Sequence, residues 1–416
     1  MLGVGRLLDV IAPPRLGRNF RFMLANSWTG AVANGIATAS GPLLIAHLTR
    51  DPRLIALAAL LDWLPGMVFG LYAGVLADRH DRRQVMILSR IPSAIALTLL
   101  VVMLASDHVT IWAVLLMMLS MGTADTFSYS AGRTVVPMIV AKADLGIANA
   151  RFGLGQMAIN RLAGPPIGAA LFALSHVVPF VTELIFDVLA LLLVARIVLP
   201  PHATDRADRR PVLQDLREGW TASWSITGMR VLNVQIIAFN LAYGCVMATL
   251  VLYARDRLGL SATGYGALLA SVAVGGIVGT TTYGWIERRV AIRDIMRYGL
   301  VLEVLTWGVL AWTDRWQVAM AILACFGVHE GYWGATASAV QQRAVPQELQ
   351  GRVGSVYLML LMGGLVVGAG ASGFIARHWG ITAPYWTGFV CAGLMLLALW
   401  RPIGHLAHAD AEIVAG

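Results

Sequence analysis

Long apolar segments follow one another along almost the whole chain, and this feature restricts the fold more than any other. A helix needs roughly 20 mostly apolar residues to cross the hydrocarbon core of a bilayer. Only 13% of the residues are charged, against about 25% in ordinary soluble domains. The sequence therefore predicts an all-α membrane protein with twelve transmembrane helices, at 22–48, 54–77, 85–105, 109–132, 146–174, 178–199, 231–254, 263–286, 294–313, 317–341, 353–377 and 382–400.

The basic residues of the loops predict the orientation of the chain. When the loops are assigned alternately to the two sides of the membrane, only six of the 31 Lys and Arg residues fall on the side opposite the N-terminus. These six are Arg50, Arg53, Arg255, Arg257, Arg315 and Arg377. Since short cytoplasmic loops carry an excess of Lys and Arg, we expect a multi-pass protein of the cell (inner or plasma) membrane with both termini in the cytoplasm. The net charge of +8 belongs to these loops, so no nucleic-acid partner is expected.

A polar stretch at 200–230 divides the predicted helices into two sets of six. Its second part is expected to form an amphipathic surface helix. The predicted organisation is a cytoplasmic lead-in at 1–21, an N-terminal six-helix bundle at 22–199, a cytoplasmic linker at 200–230, a C-terminal six-helix bundle at 231–400 and a cytoplasmic tail at 401–416.

The two halves share an internal repeat at an offset of 205 residues. Gly122-x-x-Asp125-x-Phe127 in helix 4 matches Gly327-x-x-Glu330-x-Tyr332 in helix 10. Such internal similarity is typical of secondary transporters built from parallel repeats, whose substrate sites lie between the repeats. The repeat predicts two pseudo-symmetric six-helix bundles.

Two motifs stand out against the apolar background. Gly74-Val-Leu-Ala-Asp78-Arg79-His-Asp81-Arg82-Arg83 joins helices 2 and 3, and its charges require a tight turn at the membrane surface. In helix 5, Gly164 and Gly168 stand four residues apart and flatten one helix face for close packing. Pro165, next to the first of them, is expected to kink the helix because it lacks a backbone N–H.

With these motifs, the chain resembles the major facilitator superfamily from Asn19 to Pro402, and in particular its drug:proton antiporter-3 branch of drug and siderophore exporters. The loop between helices 2 and 3 is similar to the superfamily motif, with Asp81 where many members have Gly. Val345-Pro346-x-Glu348-Leu349-x-Gly351-Arg352-Val353 is similar to a stretch typical of the branch. Helix 5 resembles the antiporter motif, with Asn160 and Ala169 where Gly is usual.

The resemblance implies roles for several of these residues. Gly74, Asp78, Arg79, Arg82 and Arg83 would act at a cytoplasmic gate, which Asp78 closes through contacts near the start of helix 11. Gly164, Pro165 and Gly168 would favour antiport, and so export. Helices 1, 4, 7 and 10 would line a central cavity.

Ionisable residues inside apolar segments are costly and therefore point to function or to a structural partner. Since helices 4 and 10 would line the cavity, Asp125 and Glu330 are the leading candidates to bind protons or substrate, with structural hydrogen bonding as the alternative. Asp62 and His329 are further candidates, and Arg161 is expected to pair with Asp62 or Asp125. The remaining carboxylates, for which a structural role is expected, are Glu183, Asp187 and Glu303.

Aromatic side chains near these positions would suit a hydrophobic substrate, although packing between helices explains them equally well. They are Trp28, Phe127, Tyr129, Tyr243, Tyr332 and Trp333. The sequence lacks a phosphate-binding GxxxxGK[ST] loop, a GxSxG elbow and Cys/His spacing typical of metal sites, so we expect no enzyme activity, cofactor or metal.

The hypothesis from the sequence is a proton-coupled exporter of a small lipophilic drug, antibiotic or siderophore-like compound that works by alternating access. Its expected partners are the lipid bilayer, a small-molecule substrate and protons, and the protein is expected to be a monomer. The alternatives are an importer or uniporter on the same fold and a membrane receptor or scaffold that does not transport.

Overall fold

The computed structural model describes residues 11, 13–199 and 212–405, and the described chain consists of helices joined by turns. The first six long helices are α1 (Gly17–Leu48), α2 (Pro52–Arg79), α3 (Arg82–Ala105), α4 (Ile111–Ile139), α5 (Leu145–Leu154, Gly155–Ala163 and Gly164–Leu174 in succession) and α6 (Val178–Val194). The second six are α7 (Thr227–Met247), α8 (Ala262–Glu287), α9 (Ile292–Trp312), α10 (Trp316–Ala344), α11 (Gln350–Trp379) and α12 (Ala383–Leu399). Each predicted segment therefore overlaps a helix, although the ends differ by up to seven residues, as at the ends of α4 and α7. The chain has the all-helical architecture expected of it.

Among the described residues, nine helices are long and apolar enough to cross a membrane, and α12 is a shorter apolar helix. The two others, α6 and α10, fall short of these criteria. Helix α6 is only 17 residues long, whereas α10 carries His329 and Glu330, whose polarity lowers its hydropathy. The chain is a multi-pass membrane protein.

The predicted repeat is visible in the helix bounds. Ile111 and Trp316 begin α4 and α10, and Leu145 and Gln350 begin α5 and α11, each pair separated by the predicted 205 residues. The contacts repeat too. Gly35 of α1 packs on the backbone carbonyl of Asn160 in α5, and Gly244 of α7 packs on the backbone carbonyl of Leu365 in α11. Leu365 lies 205 positions after Asn160, so α1–α5 and α7–α11 use equivalent contact positions on α5 and α11.

The chain packs as two compact units, Met1–Leu48 with Leu64–Asp208, and Thr49–Trp63 with Arg209–Gly416. Helix α2 is thus divided, with its first turns packed in the second unit. There Gly373 of α11 lies against the backbone of Arg53, and Ala56 packs with Ala248 and Ala369. The predicted division into bundles at 22–199 and 231–400 remains a prediction about membrane domains.

Part of the predicted linker forms a helix, Val212–Ser225, which we call the linker helix. Its Asp215 and Glu218 carboxylates lie 2.8 and 2.7 Å from the Arg352 guanidinium of α11, and its Gly219 packs on the Arg352 backbone. These contacts hold the linker helix against the start of α11. Parts of the predicted lead-in, linker and tail, at 1–10, 12, 200–211 and 406–416, lie outside the described residues.

Helix α5 changes its winding in the middle. Residues Gly155–Ala163 form π-helical turns, and an α-helix resumes at Gly164 with Pro165 in its first turn. Because a proline ring clashes with the preceding turn and donates no hydrogen bond, a π-bulge beside it relieves the conflict. Gly164 and Gly168 of this helix lie against the backbone of Gly35 and Ile36 in α1, which is the close packing that their spacing predicted.

Candidate functional site

An ion pair in the interior of the first unit joins two helices that are far apart in the sequence. Arg90 of α3 bonds to the carboxylate of Asp187 in α6, and both side chains are only about a tenth exposed (11% and 10%). Ser93 donates a weaker bond of 3.4 Å to the same carboxylate. Sequence reasoning had not singled out Arg90, although it is the single charged residue within the apolar segment 85–105.

Asp125 of α4 lies beside this pair. The side-chain amide of Asn34 in α1 donates a 2.7 Å hydrogen bond to its carboxylate. The charges of Arg90 and Asp187 are both close enough to act on it electrostatically. One guanidinium and two carboxyl groups thus form a cluster that is electrically neutral when one proton is bound.

In the second unit, His329 of α10 is buried among aromatic rings. The centroids of Phe239 and Phe326 each lie 6.0 Å from that of His329. Its Nε2 has no hydrogen-bond partner within the described part of the chain, and its ring packs on Gly299 of α9. The site has space for the imidazole because residue 299 carries no side chain.

The other acidic candidates occupy different surroundings. Glu303 of α9 is fully buried and accepts a 3.4 Å bond from the indole of Trp307. Glu183 of α6 is fully buried as well, whereas Glu330 of α10 and Asp62 of α2 are partly buried. Asp62 belongs to the second unit.

Arg161 lies in the π-helical part of α5 and is exposed. The hydrogen bond found for Asp125 comes from Asn34, and the pairing of Arg161 with Asp62 or Asp125 remains a prediction.

The gate motif forms the turn between α2 and α3. Asp81 caps α3 by accepting a 2.9 Å bond from the backbone N–H of Arg83. Arg82 donates a 3.0 Å bond to the Thr134 hydroxyl of α4, and Arg83 donates to the Ala195 carbonyl after α6. Arg79 ends α2 and is exposed, Gly74 has open space around it, and the Asp78 side chain lies outside the described residues.

The predicted aromatic residues do not form one group. Trp28 donates a 3.0 Å bond to the Arg151 carbonyl and packs over Gly155, while Tyr129 is exposed with the Arg133 guanidinium 5.8 Å from its ring centroid. Phe127 contacts Phe69 and Tyr72 of α2.

Two of the predicted aromatic residues stack with other rings in the second unit. Trp333 stacks with Phe239, and Tyr243 stacks with Phe239 and Phe326. Tyr332 shares a 2.9 Å hydrogen bond with the Thr282 hydroxyl of α8. These contacts are compatible with packing between helices, and a role in lining a substrate site remains a prediction.

Three curated proteins illustrate what the chain is similar to. Macrolide efflux protein A of Streptococcus pyogenes is 21% identical over 92% of this chain and 95% of its own length. The multidrug efflux pump Tap of Mycolicibacterium fortuitum is 26% identical over 83% of this chain and 85% of its own. The enterobactin exporter EntS of Escherichia coli is 22% identical over 95% of both chains.

Solved structures share the fold. The nucleoside transporter NupG superposes with a TM-score of 0.72 at 14% identity and covers 94% of this chain and 99% of its own. A bacterial homologue of the iron transporter ferroportin in an inward-facing state superposes with a TM-score of 0.70 at 16% identity, covering 93% and 98%. The family model for transmembrane secretion effectors matches residues 11–413. The chain therefore belongs to the transmembrane secretion effector family of major facilitator superfamily transporters.

Proposed function

We propose that the protein is a proton-coupled exporter of small lipophilic molecules. The cluster of Asp125, Arg90 and Asp187 supports this proposal most directly. Arg90 is bonded to Asp187, and the same guanidinium also acts on the charge of an ionised Asp125. Asp125 can therefore bind or release a proton as nearby charges or helices move. The similarity to proteins named as efflux pumps and exporters supports the outward direction.

The remaining features of the proposal follow from topology and from the family. The protein would lie in the plasma membrane as a monomer, with both termini in the cytoplasm, and would carry out no chemical conversion. The turn between α2 and α3, with Gly74, Asp78, Arg79, Arg82 and Arg83, would act at the cytoplasmic gate. Glu330 and His329 would form a second polar site, in the second half of the chain.

Transport by purified protein in proteoliposomes tests the proposal. The probes are a macrolide, a catecholate siderophore and a neutral lipophilic dye, each measured with and without an imposed pH gradient. Wild type is expected to move at least one probe against its concentration gradient only when the pH gradient is present. Asp125→Asn is expected to lower this driven transport at least tenfold, and Glu330→Gln to lower it as well.

The matched control is Asp314→Asn, because Asp314 is exposed on a loop. It is expected to transport like wild type. Full driven transport by both Asp125→Asn and Glu330→Gln would contradict the assignment of the proton site. Transport that ignores the pH gradient would indicate a uniporter, and specific binding without movement of any probe would indicate a receptor.

A further inference from the structure

A cavity of about 570 Å³ lies inside the first unit, between α2, α3 and α4. Leu76 forms its α2 side, Leu88 and Ser89 lie on α3, and Leu119 and Thr123 lie on α4. This volume is within the range of about 300–1,000 Å³ that small-molecule pockets occupy. Arg90, Asp125 and Asp187 are not among the described residues that line it, so the cavity is distinct from the charged cluster.

The cavity exists because α2 stands away from α4. The corresponding second and fourth helices of the other half, α8 and α10, pack backbone to backbone. A Cβ added at Gly279 would lie 2.4 Å from the Val328 carbonyl oxygen, and one added at Gly331 would lie 2.9 Å from that of Gly276. In α2, by contrast, a Cβ added at Gly70 or Gly74 would meet no other atom within 4 Å.

Aromatic side chains span the gap instead. The ring centroids of Phe69 and Tyr72 lie 6.0 and 6.5 Å from that of Phe127 in α4. Long side chains therefore separate the two helices, and space is left beside them.

Two of the three hydroxyl groups on the described cavity wall are arranged as acceptors. Ser120 and Thr123 donate their protons to the Leu116 and Leu119 carbonyls of their own helix, at 2.8 and 2.7 Å. A hydroxyl that already donates retains lone pairs to accept a further bond. No Asp, Glu, Lys or Arg occurs among the described lining residues, so the wall favours an uncharged molecule.

The cavity borders a surface that faces the membrane. Leu88 is 64% exposed and begins a stripe of exposed apolar residues along one face of α3. The other members of the stripe are Ile91, Ile95, Leu99 and Val102. In a membrane protein, such a stripe contacts lipid. At its other end the cavity reaches His80 and Gln84, at the turn between α2 and α3.

We propose that the cavity between α2, α3 and α4 binds neutral lipophilic molecules that carry hydroxyl or N–H donors and that enter it from the lipid. Burial of apolar surface against Leu88, Leu119 and Phe127 supplies affinity. Bonds to the Ser120 and Thr123 oxygens select molecules with donors. The claim that these molecules are exported rests on the proposed function. The claim that the cavity binds them does not.

Photolabelling of the full-length protein in phosphatidylcholine nanodiscs tests the site. The probes are 4-(hydroxymethyl)benzophenone and its methyl ether, which differ in the presence of a hydrogen-bond donor. Crosslinked residues are mapped by mass spectrometry. The alcohol is expected to label the α3 and α4 residues of the cavity about fivefold more than the ether does, because a single hydrogen bond separates them.

Three variants sharpen the test. Thr123→Val combined with Ser120→Ala is expected to remove the preference for the alcohol while the cavity stays open. Leu119→Trp fills the space and is expected to reduce labelling at least fivefold. Leu99→Trp, on the lipid-facing stripe outside the cavity, is the matched control and is expected to label like wild type. Unchanged melting temperatures verify that each variant is folded.

Several outcomes would overturn the proposal. Absence of labelling in the cavity would exclude the site, and equal labelling of the cavity by both probes would contradict selection by hydrogen-bond donors. If Leu119→Trp loses labelling but exports the alcohol at the wild-type rate, the cavity is not on the transport route. Labelling by the alcohol in a protein that exports no probe would uphold the site and contradict only the proposed function.

Discussion

Arg90 and Asp187 show how single side chains determine the interior of the first unit. Both are nearly removed from solvent, and each compensates the charge of the other. Taking a charge out of water is expensive, so such a pair is stable only while both partners are present. The sequence predicted a structural role for Asp187, and the ion pair agrees with it. The partner was not predictable, because α3 and α6 are separated by two further helices in the chain.

Removal of one partner of this pair is expected to destabilise the fold. Arg90→Met leaves two carboxyl groups without their guanidinium, and Asp187→Leu takes from Arg90 the carboxylate to which it is bonded. Breaking a buried pair in this way costs about 3–5 kcal/mol. The double variant Arg90→Met/Asp187→Leu is expected to regain most of that loss, since the pair is then absent and the remaining Asp125 carboxyl can bind a proton and become neutral. Unfolding in detergent, followed by circular dichroism, measures the three values.

The matched control is the exposed pair of Arg255 and Asp256, where Asp256→Asn is expected to cost at most about 1 kcal/mol. If the loss of unfolding free energy in the double variant equals the sum of the losses in the two single variants, the two residues are not coupled.

At the scale of helices, glycines determine which pairs of helices touch. The α8–α10 contact is the most extensive between any two described helices, and glycines from both sides form it. In lipid there is no hydrophobic force between helices, so the packing of one helix on another is stabilised by close approach of the backbones and by dispersion. The same reasoning explains the cavity beside α2, where aromatic side chains replace backbone contact.

A methyl group added at this contact is expected to weaken it. Gly279→Ala places a Cβ against the backbone of Val328, and overpacking of this kind costs about 1–3 kcal/mol. Gly284→Ala in the same helix meets open space and is expected to be neutral or to stabilise the protein by up to about 1 kcal/mol. Thermal melting of the two variants in detergent compares them directly, and equal effects would refute the packing argument.

The start of α2 is fixed by a charged contact whose strength depends on pH. Hydrogen bonding from the Arg53 guanidinium holds the pKa of Asp51 below its ordinary value, and Arg377 of α11 lies 3.7 Å away. The pKa of Asp51 is lower in the folded protein than in the unfolded chain. The stabilisation is therefore present at neutral pH and is lost as the pH falls through the carboxyl range, at about 4 and below.

Asp51→Asn is therefore expected to melt at a lower temperature than wild type at pH 7. At a pH of about 2, Asp51 of the wild type is protonated, and the two proteins are expected to melt at nearly the same temperature. Differential scanning fluorimetry at both pH values measures the difference. Asp314→Asn, at an exposed loop position, is the control and is expected to match wild type throughout. A deficit for Asp51→Asn that persists at low pH would exclude a role for its charge.

At the scale of the whole molecule, the distribution of basic residues predicts the orientation in the membrane. A green fluorescent protein fused after Gly416 is expected to fluoresce, and alkaline phosphatase at the same point is expected to be inactive, because both report a cytoplasmic terminus. A phosphatase fused in the loop after Leu48 is expected to be active. The opposite pattern would reverse the predicted orientation and the side assigned to the gate.

The sequence alone determined the elements and the family. The position of every long helix, the repeat at 205 residues and the close packing at Gly164 and Gly168 were all predictable, since hydropathy and residue spacing are local properties of the chain. Tertiary structure alone decided the partners of the buried groups, such as Asn34 for Asp125 and Arg90 for Asp187. The tertiary structure alone also decided that a cavity lies beside α2. These features depend on how each helix is rotated about its axis and how closely it approaches its neighbours, and such distances arise only when all the helices pack together.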